Sequence, residues 1–335
     1  MSNQRTTGLT SVALAFLGNL FIAFMKLIAF FVSGSSVMFS EAIHSFADTA
    51  NQGLLMVGIK RSMKKADAYF DYGYGQERFL WALISACGIF FLGAGVTIYN
   101  GIESLRGENS IFLNKYVFII LGLSLIIETF TLLVAVREIK KNSNGRKFFK
   151  ALEVADPTTL AVLYEDSVAV LGILVASLSM VLTMITGQHY WDAAGSIVVG
   201  LLLGFIAVVL IKKNMELLKS RSIPEEAKER LIEILESEPA IERVIDLKSS
   251  ILNVGVYRVI CEVEFNGPSL LRELYKNNEM REEYDDIKED YQEFIRFCAD
   301  YADRIPRLIG SKINKIEEEI QREIPEIRHI DIELN

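Results

Sequence analysis

Long apolar runs, separated by short polar or basic turns, fill the first two thirds of the chain. They lie at about 9–33, 36–59, 79–102, 115–136, 158–186 and 191–211. Each approaches the roughly 20 residues that an α-helix needs to cross the hydrocarbon layer of a bilayer. A core helix of a soluble protein would show a polar face at helical spacing. Residues 12–31 instead hold only Asn19 and Lys26 as strongly polar side chains, and 116–136 only Glu128. The pattern predicts six membrane-spanning helices.

From Pro224 the period changes. Pro224, Glu225 and Glu226 open a helix with proline in its first turn and acids near its positive end. Leu231, Ile232, Ile234 and Leu235 supply its apolar side. Residues 243–252 and 254–265 read as strands, 308–324 as a second amphipathic helix and 329–333 as a last strand. This αββαβ order predicts a small α+β domain with helices on one face of its sheet. The expected division is a six-helix transmembrane domain at 1–218 and a tail domain at 219–335. A strongly charged insert at about 268–304 reads as solvated helical surface and carries no site.

Composition agrees with that division. The chain is 51% apolar yet 23% charged, so the two classes must be segregated. Its net charge of −8 is concentrated in the tail and gives no footing for nucleic acid. Basic residues follow the second run (Lys60, Arg61, Lys64, Lys65), the fourth (Arg137, Lys140, Lys141, Arg146, Lys147, Lys150) and the sixth (Lys212, Lys213, Lys219, Arg221). The turns after the first and fifth runs carry almost none, and that after the third only Arg106 and Lys115. Basic residues favour the cytoplasmic side, which places both termini there. The opening MSNQRTTGLT is too short and polar for a secretory signal and lacks the character of a transit peptide. A bacterial inner (plasma) membrane is the expected location. Cys87, Cys261 and Cys298 are scattered, with no CxxC pair and no disulfide framework.

Ionisable groups inside a bilayer cost a few kcal/mol or more and need a reason. The second run is densest: Ser40, Glu41, His44, Asp48, Asn51 and Gln52. His44 and Asp48 are four residues apart and share a helical face, which Glu41 and Asn51 extend. An imidazole and a carboxylate on one face make half of a tetrahedral metal site. The fifth run brings Glu165 and Asp166 as the facing acids. Lys26 either reaches outward or pairs with an acid, a structural role in both cases. Glu128 is either a proton or ion relay or the partner of a neighbouring helix.

These stretches resemble the cation diffusion facilitator family of metal transporters, and most closely its branch of zinc transporter nine-like proteins. The residues that carry the resemblance are 39–52 (FSEAIHSFADTANQ), 163–166 (LYED) and 192–196 (DAAGS), extended by 221–224 (RSIP) and 328–331 (RHID). The resemblance implies a polytopic α-helical fold with a ferredoxin-like cytoplasmic tail that dimerises. It also implies a central site in which the second and fifth spans each give two residues at i,i+4 spacing. Carried over, these are His44, Asp48 and Asp166, while the first fifth-span position falls on Val162, which cannot ligate. Glu165 is the best substitute, with Asn51 or water as lesser ones, and Asn51, Glu41 and Glu128 serve as accessory or proton-relay candidates. Loop histidines of the family would fall near Phe70 and Tyr74, and the tail could draw only on His329 and acids. His189, in an outer loop, is the remaining histidine.

The implied activity is zinc/proton antiport by alternating access, exporting zinc from the cytoplasm, with no cofactor. The partners are the divalent ion, protons, lipid and a second copy of the chain. A manganese or ferrous iron exporter of the same fold is the alternative, because one imidazole among carboxylates is a harder ligand set. An intramembrane metalloenzyme lacks any HExxH or paired histidines. A non-transporting scaffold is the remaining reading.

Overall fold

The structure, a computed structural model, describes residues 2–106, 115–142, 157–275 and 279–335. Arg146, Lys147 and Lys150 of the expected basic turn lie outside the described residues. The chain divides into two compact units, Met1–Lys219 and Ser220–Asn335.

The first unit is helical: α1 (Ser2–Ser33), α2 (Ser36–Ser62), α3 (Glu77–Ser85), α4 (Phe91–Arg106), α5 (Lys115–Asn142), α6 (Pro157–Thr186) and α7 (Tyr190–Leu218). A π turn at Ala86–Phe90 joins α3 to α4 without a break, so the two make one span, Glu77–Arg106. All six predicted runs are therefore helices. Among the described residues, five are long and apolar enough to cross a membrane on composition alone, within α1, α3–α4, α5, α6 and α7. The exception is α2, which the sequence reading counted as an apolar run. It is too polar to meet that standard, and its polar side chains are covered by neighbouring helices. It touches α1, α3, α4, α6 and α7, and Ser36, Ser40, Glu41, His44, Ser45, Asp48, Thr49 and Asn51 are all buried.

The apolar side chains face outward on the other helices. Phe21, Phe24 and Phe31 of α1, Leu92 and Tyr99 of α4, Ile126 and Phe130 of α5, Leu178 and Ile185 of α6, and Leu201 and Phe205 of α7 are exposed. Water would not tolerate so much exposed apolar surface, but lipid matches it. Between helices that share no hydrophobic driving force, close backbone approach supplies the packing. A Cβ on Gly200 of α7 would lie 3.1 Å from the backbone nitrogen of Ile98 on α4, and one on Gly101 would lie 3.1 Å from the Ala193 carbonyl oxygen.

The second unit runs α8 (Glu225–Ser237), β1 (Ile241–Asn253), β2 (Val256–Phe265), α9 (Gly267–Leu274), α10 (Glu279–Ile287), α11 (Tyr291–Glu323) and β3 (Ile327–Leu334). The sheet order is β1-β2-β3, antiparallel then parallel. Gly255, at φ 66°, makes the hairpin between β1 and β2. Parallel pairing of β2 with β3 requires a long crossover, which α9 to α11 provide. Leu231 and Leu235 of α8, Val259, Cys261 and Val263 of β2, Ile316 and Ile320 of α11 and Ile327 of β3 form its core. Burial pushes the Cys261 thiol up to about 12. It therefore stays protonated and apolar in character.

The αββαβ order is present, with one difference. The helix expected at 308–324 is α11, which begins at Tyr291, so the last part of the insert belongs to it. Pro306 lies inside this helix. Proline removes one intrahelical bond and is read as a helix boundary, yet the 33-residue helix continues through it, opened by Asp290, whose side chain accepts from the Gln292 backbone N–H at 2.7 Å. The insert is helical and largely exposed as expected, apart from 276–278, which lie outside the described residues.

The glycine contact between α4 and α7 yields a stability prediction. Gly200→Val is expected to cost about 1–3 kcal/mol by overpacking, lowering the thermal midpoint of the detergent-solubilised protein. Gly204→Ala should be neutral or stabilising, because its Cβ would meet Ala94 Cβ at an ordinary 3.7 Å.

Candidate functional site

The polar stripe of α2 is held by a different helix at each level. At its N-terminus, Ser35 caps the helix, its hydroxyl accepting from the Met38 N–H at 3.2 Å. The fully buried Asp192 of α7 accepts from the Ser35 hydroxyl, from the Ser36 N–H at 2.6 Å and from the Val37 N–H at 3.4 Å. A carboxylate at the positive end of a helix is a favourable partner. One turn further, the Ser40 and Ser196 hydroxyls meet at 2.6 Å, and Ser196 donates to the Thr97 carbonyl at 3.2 Å. These contacts bind α2 to α7 and α4.

Next comes Glu41. Its Oε2 takes the Lys26 ammonium of α1 at 2.9 Å, and both side chains are completely buried. Lys26 thus pairs with an acid and does not reach outward. Its other oxygen, Oε1, approaches α6 where Gly172 leaves room: a Cβ there would stand 2.8 Å away. That oxygen has no hydrogen-bond partner.

His44 and Asp48 follow. His44 Nε2 and Asp48 Oδ2 are 3.4 Å apart on the shared face, too poorly placed for a hydrogen bond. Both His44 ring nitrogens, Asp48 Oδ1, the Ser45 hydroxyl and Gln52 Oε1 are buried without hydrogen-bond partners. Below them, Asn51 donates to Glu165 Oε1 of α6 at 2.8 Å. On the same helix, Asp166 lies near Thr131 of α5, whose hydroxyl donates to the Glu128 carbonyl at 2.9 Å, and Asp166 Oδ2 has no hydrogen-bond partner. The buried Glu128 of α5 lies across a narrow crevice that Asn19, Ile22, Ser45 and Asp48 also line. Asp48, Glu165 and Asp166 stand within electrostatic reach of one another, and Glu128 within reach of Asp48 and Asp166.

An unpaired buried polar atom ordinarily costs about 1–3 kcal/mol, so a cluster of them calls for an explanation. Most here are lone-pair acceptors on α2 and α6, which a cation satisfies and an apolar side chain does not. The ligands named from sequence are not all at coordinating distance. His44 and Asp48 are adjacent, and Glu165 faces α2 through Asn51. Among the described residues, however, no three His, Cys, Asp or Glu side chains are gathered closely enough to hold a metal ion, in the membrane unit or the tail. Val162 is 43% exposed. The position matched to the missing ligand is thus partly exposed, whereas Glu165 meets Asn51 of α2.

The second of the family loop positions sits in an ordered aromatic turn. In loop 63–76, the Phe70 and Tyr74 rings pack at 4.6 Å. Asp67 accepts from the Lys64 ammonium at 2.8 Å, the Tyr74 hydroxyl at 2.9 Å and the Tyr69 and Phe70 N–H groups. These bonds hold its carboxyl down to about 2. The Asp192 clamp is the contact that sequence reasoning missed. Its signal was an acid in the sixth apolar run together with the Ser35-Ser36 pair that opens α2.

The model of the cation efflux transmembrane domain matches residues 12–218. The chain belongs to the cation efflux family. Among cation efflux proteins it is 38% identical over 317 residues to the human proton-coupled zinc antiporter SLC30A9, mitochondrial, covering 93% of this chain and 56% of that one. It is 34% identical over 323 residues to metal tolerance protein C4 of Arabidopsis thaliana, covering 94% and 71%. It is 22% identical over 255 residues to the cation-efflux pump FieF of Shewanella oneidensis, covering 75% and 80%. The chain thus spans little more than half the length of the human relative. It is a multi-pass membrane protein. The expected bacterial inner membrane finds no support in the human relative, which is mitochondrial by name.

Removing one partner of a buried ion pair strands the other. Lys26→Met is expected to lower stability by about 3–5 kcal/mol, read as a fall in thermal midpoint in detergent. The double variant Lys26→Met with Glu41→Gln should recover most of it.

Proposed function

We propose that this chain is a zinc/proton antiporter that exports zinc from the cytoplasm by alternating access. The observation that supports it best is the cluster of buried acceptors shared by α2 and α6. His44, Asp48, Glu165 and Asp166 bring one imidazole and three carboxylates, and the nearby buried ammonium, Lys26, is already taken by Glu41. A divalent cation is the natural neutraliser. In this reading zinc draws the four groups together from their present separation, with Asn51 releasing Glu165 to the metal. Protonation of His44 and the carboxylates competes for the same lone pairs and expels the ion on the far side. Histidine suits that exchange because its ordinary pKa, about 6.5, is near physiological pH. The zinc and proton coupling named for the human relative supports the pairing of these two ions.

Transport of manganese or ferrous iron is the second reading, favoured by the single imidazole among oxygen donors. Purified protein in liposomes, assayed with each metal under an imposed pH gradient, separates the two. Zinc flux is expected, and it should vanish in His44→Ala, Asp48→Ala and Asp166→Ala while each variant stays folded. Glu165→Gln should weaken zinc binding and flatten the pH dependence. Wild-type flux in any two of the three alanine variants would remove the central site from the account. Val162 shares a helical face with Asp166, so Val162→His in the Glu165→Gln background should restore zinc binding and sharpen the preference over manganese.

The tail is proposed to hold a homodimer, with its sheet and helices as the pairing unit. Light scattering in mild detergent should give twice the protomer mass, and a chain ending before Pro224 should give a monomer.

A further inference from the structure

Loop 63–76 presents its aromatic residues in an unusual way. Tyr69 is 88% exposed and Phe70 52% exposed, on a turn fixed from within by the four bonds to Asp67. Gly73, at φ 75°, closes the turn where a Cβ would stand 3.3 Å from the Ala66 nitrogen. The two helices that flank the loop are also tied together. Arg61 reaches Glu77 at 3.7 Å and lies over the Trp81 ring at 5.5 Å, and the Trp81 indole donates to Glu77 at 3.0 Å. Holding large aromatic side chains rigidly in water would waste their ordering, because nothing would be gained by burial.

The place of the loop in the chain identifies what covers it. It joins α2 directly to the membrane-crossing span that begins at Glu77, so it lies at the end of the hydrocarbon layer. Lys60, just before it, and Lys65, within it, are both exposed. Aromatic rings next to cationic side chains are the combination that suits the headgroup zone. We propose that loop 63–76 is a membrane-interface anchor, in which Tyr69 and Phe70 enter the headgroup region of the bilayer and Lys60 and Lys65 meet anionic lipid phosphates. The anchor fixes the depth of the cytoplasmic end of α2, the helix that carries His44 and Asp48. The two family loop positions, Phe70 and Tyr74, then serve the lipid surface and the turn that presents it, in place of a metal.

Spin labels test this on the full chain. With Cys87→Ser and Cys298→Ser as background, Tyr69→Cys is labelled and reconstituted in phosphatidylcholine vesicles with and without phosphatidylglycerol. The reference is a label at the exposed tail position Glu289→Cys. Collisions with oxygen, which concentrates in lipid, should exceed those with a water-soluble nickel chelate several-fold more at residue 69 than at the reference. Phosphatidylglycerol should deepen the label, and Lys60→Gln with Lys65→Gln should abolish that lipid dependence. A nickel accessibility equal to the reference would overturn the proposal. So would shielding from both reagents, which would place the tail domain or a second copy over the loop. Phe70→Cys, labelled in the same way, checks the result at the less exposed position.

Discussion

Inside a bilayer a polar side chain has no water to turn to, so a helix as polar as α2 must find most of its charged and amide partners on other helices. Much of the arrangement of the membrane unit follows from that demand. Asp192 and Ser196 bring α7 to the start of α2, Lys26 brings α1 to Glu41, and Asn51 meets Glu165 on α6. The remaining surfaces of the surrounding helices are free to be apolar and face lipid. The start of the stripe is satisfied by Asp192 and Ser196, while Glu41 Oε1, both His44 nitrogens, Asp48 Oδ1 and Gln52 Oε1 stay without partners. The unsatisfied stretch is where a cation has most to offer.

The tail is organised by the opposite rule. Its core is apolar from Leu231 to Ile327, and Cys261 is an inert part of it. Its charged groups are spread over exposed helices, where ion pairs such as Arg230–Glu323 and Arg307–Asp303 add little stability.

The six spans and the αββαβ order were legible because each rests on a local period, long apolar runs in one case and alternation in the other. The stripe through Glu41, His44, Asp48 and Asn51 was legible for the same reason, since helical spacing alone puts it on one face. What could not be read is what depends on two elements at once. The resemblance matched Val162 to a ligand position, but which side chain of α6 meets α2 is set by packing, and there Asn51 meets Glu165. The Asp192 clamp joins residues more than 150 positions apart, so no local pattern announces it. The start of α11 was placed near 308, whereas the helix runs from Tyr291 through Pro306.

The close approach of Gly172 to Glu41 constrains how this protein can vary. With a Cβ at 172 only 2.8 Å from the carboxylate, a single substitution there would displace Glu41 and with it the Lys26 ammonium. The three positions, on three different helices, are therefore bound into one evolutionary unit. A related chain with a bulkier residue at 172 should also carry a shorter or neutral one at 41 and an uncharged one at 26. Intermediates that change one position alone would be disfavoured, so these replacements should arrive together or not at all.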